Sequence, residues 1–340
     1  MSSLMLFYIT LPGLEVTMGG DTSLNNTNLS RFMTILTMES LDIPQSSAIF
    51  IFIFGIITYC LILFFQSMML VIIIVKRDLH RPMYILLFNL ISCDLMGAMS
   101  FYPQMLSTIL SQNREISYLA CVAQGMLFHF YLCGSLLFLS VMAYDRYIAI
   151  CKPLRYHNLM TQGILVKLVV MVWFVTFGMM GSLFALTLSK TICRTNIVDT
   201  YCNNPSLMKL SCEDITFVNY YGLFVIAVGQ GFSITLVSLT YIKILITCLS
   251  TKQKKSISKA IQTCGTHLVV FLSFEINTFF LLVSHRLESV SPHLRRAFGV
   301  SVVIFPLVLN PLIYGMNTKE IRQTILTLIE RLFLLNRKLN

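Results

Sequence analysis

The sequence predicts an all-α membrane protein in which seven helices cross the bilayer and a short amphipathic helix follows the seventh. Of the 340 residues, 56% are hydrophobic and only 12% are charged, whereas a soluble domain has about a quarter of its residues charged. The apolar residues form seven blocks, each close to the roughly 20 residues that a spanning helix needs. The net charge of +10 comes from short segments between blocks, which favours a lipid bilayer over nucleic acid as the partner.

The blocks divide the chain into three regions. We predict a glycosylated extracellular tail over 1–46, the seven-helix domain over 47–315 and a cytoplasmic tail over 316–340. In the first tail, Asn25 and Asn28 fit the glycosylation acceptor pattern, which applies only to an extracellular segment. The spans are placed at 47–75, 83–108, 118–150, 163–188, 215–248, 257–284 and 296–315.

Basic residues indicate the orientation. They collect in the first, third and fifth connecting segments and in the second tail, on one side of the predicted membrane. By the positive-inside rule that side is cytoplasmic, so the first tail faces outward at the plasma membrane. Arg286, Arg295 and Arg296 lie on the opposite side and require a separate explanation.

The second tail carries an apolar stripe. Ile321, Ile325 and Leu328 recur at helical spacing, with Lys319 and Arg322 on other faces. This pattern predicts an amphipathic helix over 318–335 on the inner leaflet, and the alternative is a disordered tail.

Three acidic residues lie in or at the end of spans. Asp94 is inside the second block, Glu275 is inside the sixth, and Asp145 with Arg146 closes the third. Ionisable groups within a membrane are rare and usually functional. The alternatives are purely structural: Asp94 could only connect helices through hydrogen bonds, and the Asp145–Arg146 pair could only mark where the helix meets the cytoplasm.

A stripe on the sixth block suggests a ligand cavity. Glu275, Thr278 or Phe279, Leu282 and Arg286 follow steps of three and four residues, which places them on one helix face. At about 1.5 Å per residue, His129 and Glu275 lie at similar depths, about 25 Å from the cytoplasmic ends of their helices. We hypothesise that they face one another across a cavity with Arg286 at its mouth. His129 could instead be a hydrogen-bonded core histidine, and Arg286 an exposed loop cation.

Several motifs resemble those of odorant receptors, a branch of the rhodopsin-like G-protein-coupled receptors. The resemblance extends from the first block to the tail and is carried by MAYDRYIAICKPLRY at 142–156, LHRPMY at 79–84, SLTYI at 238–242, KAIQTCGTH at 259–267 and NPLIY at 310–314. Two positions depart from the family pattern. Thr240 replaces the usual serine. Gln66 replaces the usual asparagine, so its hydrogen bonds toward Asp94 and Asn310 are expected to be displaced.

The resemblance implies roles for many of these residues. Of the three pairings that the four loop cysteines allow, it implies Cys121–Cys202 and Cys193–Cys212, with Asp199, Asn203 and Asn204 near the lid of the pocket. It implies a pocket of Asp94, Ser135 and Asn310 that could hold sodium. The implied G-protein switch consists of Asp145, Arg146, Tyr147, Tyr241, Asn310, Pro311 and Tyr314.

The function implied is that of a receptor for a small, water-soluble polar odorant, which activates a heterotrimeric G protein and raises cyclic AMP. In one branch of the family, a histidine and an arginine at the positions that match His129 and Arg286 bind acidic odorants, so the resemblance favours a carboxylate ligand. Glu275 could instead bind an amine, or the site could bind both ends of an amino acid. We predict the ligand-binding residues Phe128, His129, Cys133, Asp199, Glu275, Thr278, Phe279, Leu282 and Arg286.

Two other functions stay open. One is a non-olfactory chemosensory receptor with the same fold, and the other is a transporter or channel, which would need charges along a path or repeated broken helices. The sequence has no nucleophile–base pair, phosphate loop or metal-ligand spacing, so we predict neither an enzyme nor, apart from the sodium ion, a cofactor.

Overall fold

The computed structural model describes residues 34–40, 43–250, 254–285, 290–317, 322–323 and 327. Of residues 254–263, 292 and 315–317 it describes the backbone alone. Within this part of the chain, seven helices are long and apolar enough to cross a membrane, which confirms the predicted class. They are α1 (Gln45–Val75), α2 (Pro82–Ser111), α3 (Tyr118–Cys151), α4 (Gln162–Leu188), α5 (Thr216–Ser250), α6 (Lys254–Ser284) and α7 (Pro292–Asn317).

Local sequence explains several helix ends. The Ser117 hydroxyl accepts a hydrogen bond from the Ala120 amide at the start of α3, and Thr161 caps α4 in the same way through Ile164. These caps satisfy amides that have no partner within the helix. At the other end of a helix, α2 terminates at Gln112 in a left-handed conformation, with φ of 55°.

Short elements connect the helices. Strands β1 (Ile35–Thr37) and β2 (Glu115–Ser117) pair antiparallel, with Leu36 opposite Ile116. The first strand also forms a bridge from Thr37 to Asn196 in the segment between α4 and α5. Short helical segments lie at Arg77–Leu79, Pro153–Arg155, Tyr156–Leu159 and Asn204–Met208.

Helix α3 is the centre of the bundle. In its apolar stretch 83% of residues are buried, compared with 22% in α1 and in α4. Close approach to α2 depends on glycine, because a Cβ added at Gly97 would lie 2.6 Å from the Tyr131 ring, and one added at Gly134 would lie 2.7 Å from the Cys93 sulfur. The outer helices instead expose large apolar side chains such as Phe50 and Phe174, as a lipid-facing surface does.

Some predicted features lie outside the described residues. These are the acceptor residues Asn25 and Asn28, the side chain of Arg286, and the tail helix over 318–335, apart from positions 322–323 and 327. They stay predictions.

Candidate functional site

One end of the bundle is covered by three segments, which we call the lid: residues 34–40, 115–117 and 190–212. The lid contains both disulfides that the resemblance implies, Cys121–Cys202 to α3 and Cys193–Cys212 within the loop. Gln124 strengthens the first attachment, because its side chain accepts from the Cys202 amide and donates to the Ser100 carbonyl, each at 2.9 Å. The long loop is therefore held onto α3 by a covalent bond and by hydrogen bonds.

A buried carboxylate joins the lid to α6 and α7. Asp199 is 2% exposed, and its oxygens lie 3.3 Å from Arg295 Nε and 3.4 Å from His285 Nδ1. Asn203 donates to it at 3.1 Å, and the Ser206 hydroxyl donates to it as well. Buried charges are tolerated where they are paired and hydrogen-bonded in this way.

The first strand segment takes part in the same network. The Glu39 amide donates to the Asp199 carbonyl at 3.1 Å, and the Glu39 carboxylate pairs with Arg296 at 3.0 Å. Arg295 and Arg296 were exceptions to the charge asymmetry of the sequence. Their partners in the lid, Asp199 and Glu39, supply the explanation.

Beneath the lid, residues of α3, α4, α5 and α6 line a partly open cavity. Its wall is mostly apolar, with Pro205 of the lid at one side. An apolar wall with a few polar groups is typical of small-molecule sites. The four predicted residues that line it are His129, Cys133, Thr278 and Leu282, and Gln230 of α5 joins them.

The other predicted ligand residues lie elsewhere. Phe128 is buried beside Tyr131 of its own helix and Tyr201 of the lid. Phe279 is 46% exposed beside Phe280 on the outside of the bundle, so of the two alternatives Thr278 is the one that faces the cavity. The carboxylate of Asp199 is engaged in the lid network.

Glu275 does not line this cavity, contrary to the hypothesis that it faces His129 across it. The helical stripe is real, since Thr278 and Leu282 both line the wall, but Glu275 lies one turn deeper on α6. Its side chain is 5% exposed, and neither carboxyl oxygen has a hydrogen-bond partner in the described part of the chain.

Hydrogen bonds fix the polar groups of the wall. His129 Nδ1 lies 2.9 Å from the Gly125 carbonyl, and because a carbonyl can only accept, Nδ1 carries a proton. The Gln230 amide donates to the Thr278 hydroxyl at 3.0 Å, and that hydroxyl lies 2.9 Å from the Phe274 carbonyl, to which it donates.

A second polar group of residues surrounds Asp94. The Asn310 amide donates to Asp94 Oδ2 at 2.7 Å, and the Gln66 amide donates to the same oxygen at 3.3 Å and to the Leu307 carbonyl at 3.2 Å. The hydrogen bond toward Asp94 is therefore kept, contrary to the expected displacement, whereas toward α7 the Gln66 amide bonds the Leu307 carbonyl and not the described Asn310 side chain. The extra methylene is accommodated by sharing the amide with α7.

The same pocket has an excess of acceptors. Asp94 Oδ1, Gln66 Oε1 and Asn310 Oδ1 are buried without a hydrogen-bond partner among the described groups, and the Ser135 hydroxyl is buried as well. Oxygen ligands including a carboxylate are what a hard cation such as sodium requires. The residues present therefore fit the ion that the resemblance implies.

At the opposite end, which we call the Arg146 end, Asp145 is fully buried. Its Oδ2 accepts from Arg146 Nη2 at 2.6 Å and Nε at 3.2 Å, and its Oδ1 accepts from the Tyr156 hydroxyl at 2.8 Å. Burial raises the pKa of the Tyr156 phenol, and the Asp145 carboxylate raises it further. Tyr156 is thus a protonated donor that holds the carboxylate from the side opposite Arg146.

The remaining switch residues lie at the same end. Tyr241 donates to the Cys264 carbonyl at 2.9 Å and lies 2.9 Å from His267 Nδ1, which joins α5 to α6. Lys152 and Lys243 lie over the Tyr147 ring. Pro311 is inside α7, and Tyr314 is buried with its hydroxyl unpartnered in the described structure.

Sequence reasoning missed four residues that hold these sites together: Gln124, Tyr156, Gln230 and His267. Tyr156 and His267 stand inside motifs that carry the resemblance, so the signal was available. A polar residue within an apolar block was the only signal for Gln124 and Gln230, and it does not say which partner they meet.

Comparison with known proteins agrees with this architecture. The family model described as olfactory receptor matches residues 54–331. Human olfactory receptor 52B2 is 33% identical over 260 residues, which cover 76% of this chain and 80% of its own length. Mouse olfactory receptor 5M5 is 31% identical over 311 residues, or 89% of this chain and 95% of its own.

Among solved structures, squid rhodopsin superposes with a TM-score of 0.68 at 15% identity, covering 87% of this chain and 91% of its own. At this level of identity the similarity shows a shared fold.

Proposed function

The chain belongs to the olfactory receptor family, whose members are multi-pass membrane proteins that signal rather than catalyse, and we propose that it detects a small odorant in the cavity beneath the lid. Occupancy of the cavity activates a heterotrimeric G protein of the stimulatory type at the Arg146 end, and cyclic AMP rises. Membership of a receptor family sets aside the transporter or channel alternative.

The observation that carries this proposal is the arrangement of two sites along one helix. His129 and Cys133 of α3 line the cavity, while Asp145 and Arg146 lie at the far end of the same helix. A ligand shifts such an equilibrium when it binds one arrangement of the helices better than the other. Drawing α5 and α6 toward α3 at the lid end opens the Arg146 end, as in a rigid-body helix movement.

The proposed orientation places the lid outside the cell and Arg146 in the cytoplasm. The basic connecting segments support this, since cytoplasmic loops are enriched in lysine and arginine. The two disulfides of the lid also support it, because disulfides persist in oxidising compartments.

The cavity supports a ligand with an apolar body and one polar end. The cavity supports a carboxylate less well than an amine, because Glu275 lies on the same face of α6 as Thr278 and Leu282, and its ionised form would repel a second acid. A screen of straight-chain acids, amines, alcohols and amino acids with a cyclic-AMP readout tests the proposal. No response across the panel from receptor present at the cell surface would contradict it.

Filling the cavity provides the sharper test. A Cβ at Gly229, which lines the cavity, meets no atom within 4 Å, so a Gly229→Phe side chain has room to enter without displacing backbone. We expect agonist potency in the cyclic-AMP assay to fall about tenfold or more, since overpacking a site costs 1–3 kcal/mol.

Gly231→Phe is the matched control for this substitution. Gly231 is two residues away on α5, is exposed on the bundle surface and also has no atom within 4 Å of an added Cβ. Its potency should match that of the wild type. Equal loss in both variants, at equal surface expression, would argue against ligand binding in the cavity.

We also propose that a sodium ion is held by Asp94, Ser135 and Asn310, where it would neutralise the buried carboxylate. Replacing choline by sodium at constant ionic strength should raise the Tm of the purified wild-type receptor by a few degrees, because a ligand of the folded state stabilises it. Asp94→Asn, which keeps the shape and removes the charge, should abolish the effect. A sodium effect of equal size in that variant would rule out this site.

A further inference from the structure

Glu275 is a buried acid whose carboxyl group has no described partner. Its side chain is 5% exposed, and both oxygens lack hydrogen bonds within the described residues. An unpaired carboxylate inside a helix bundle is costly, and such residues usually mark a functional site.

Glu275 lies on the same face of α6 as two residues that line the cavity. Glu275, Thr278 and Leu282 share one face of α6, and the last two line the cavity wall. The Thr278 hydroxyl lies 3.0 Å from the Glu275 carbonyl oxygen. With a rise of 1.5 Å per residue, Glu275 lies about 4.5 Å deeper than Thr278, directly below this part of the wall.

The polar groups around this point offer lone pairs rather than protons. Gln230 uses its amide nitrogen on Thr278, and its Oε1 is buried without a partner in the described chain. Thr278 in turn donates its proton to the backbone of α6.

A group of hydrogen-bond acceptors beside an acid favours a ligand that donates hydrogen bonds. A carboxylate placed here meets further acceptors and an acid whose ionised form would repel it, whereas a cation favours that ionised form. A protonated amine brings three N–H donors and a positive charge, which match the Gln230 oxygen and the two Glu275 oxygens. The remaining wall is apolar and suits a hydrocarbon chain.

We propose that the receptor recognises primary aliphatic amines, with the ammonium group directed to Glu275 and Gln230 and the alkyl chain packed in the cavity. This inference rests on the proposed function, since it assigns the ligand class of the same cavity. It assigns Glu275 as the residue that determines specificity for amines over acids.

The test uses three probes of equal length, pentylamine, 1-pentanol and pentanoate, on the full-length receptor in lipid nanodiscs. We expect pentylamine to raise the Tm of the wild type and, in cells, to raise cyclic AMP at concentrations at least tenfold lower than the other two. In Glu275→Gln, which keeps the shape of the side chain, pentylamine should lose at least tenfold in potency while 1-pentanol changes little.

Gln230→Leu provides a second variant that leaves Glu275 in place, and it should weaken pentylamine by a smaller factor. The wild-type comparison decides the question even if neither variant folds. A response to 1-pentanol or pentanoate that equals or exceeds the response to pentylamine overturns the amine assignment and leaves the proposed function standing. Undiminished pentylamine potency in Glu275→Gln also overturns it, whereas no response to any probe overturns both proposals.

Discussion

Replacing Asp145 by asparagine is expected to raise ligand-free cyclic-AMP production about tenfold, because loss of a partly buried ion pair worth about 1.4 kcal/mol shifts an equilibrium by that factor. Asp145 is fully buried and accepts two hydrogen bonds from Arg146. The neutral amide of Asp145→Asn keeps the volume but removes the charge that holds Arg146 at the bundle surface. The measurement is basal cyclic AMP in cells, normalised to surface receptor.

Tyr156→Phe is the control for this prediction. It removes a hydrogen bond from an uncharged donor to Asp145 and leaves the ion pair with Arg146 in place, so its basal signal should rise by a smaller factor. Basal signalling that stays at the wild-type level in Asp145→Asn would show that the pair does not restrain the receptor.

A substitution in the lid is expected to cause a large loss of thermal stability. We expect Asp199→Ala to lower the Tm of the purified receptor on the order of 10 °C, because removing one partner of a buried charge network costs about 3–5 kcal/mol. The substitution leaves Arg295 and His285 close to one another without the carboxylate between them. It also removes the acceptor for Asn203 and Ser206. Thermal unfolding in nanodiscs measures the effect.

An exposed acid in the same loop provides the comparison. Glu213 pairs with Lys190 at the surface, and hydrogen bonds from Thr191 lower the pKa of its carboxyl, with Lys190 contributing less. Because exposed pairs contribute little to stability, Glu213→Ala should leave the Tm close to that of the wild type. A similar loss in both variants would indicate that the Asp199 network is no more than a surface feature.

The sequence was sufficient to predict the helices, but it did not predict which side chains of neighbouring helices face one another. Hydrophobic length and the positions of basic residues placed all seven spans within four residues of those observed, because the bilayer requires long apolar helices and tolerates few alternatives. The helical stripe on α6 was also correct, since Thr278 and Leu282 share the cavity wall. Periodicity predicted which residues share a helix face, but it did not predict which side chains of the neighbouring helix contact them.

The predictions were incomplete where they depended on contacts between helices or between a helix and the lid. The sequence left Thr278 and Phe279 as alternatives for the cavity face. Adjacent residues on a helix point about 100° apart, and the structure places Thr278 on the cavity wall and Phe279 on the outside of the bundle. The exceptions Arg295 and Arg296 were explained only when the lid segments were seen to bring Asp199 and Glu39 to them. Contacts between residues distant in the chain depend on tertiary packing, which a single sequence does not specify.

The most direct test of this account is cryo-electron microscopy of the agonist-bound receptor in complex with its G protein. We predict agonist density in the cavity between His129, Gln230 and Thr278, and an Arg146 side chain separated from Asp145 and turned toward the G protein. Agonist density outside that cavity, or an Arg146–Asp145 pair still intact in the complex, would contradict the coupling of the two ends of α3 on which the account depends.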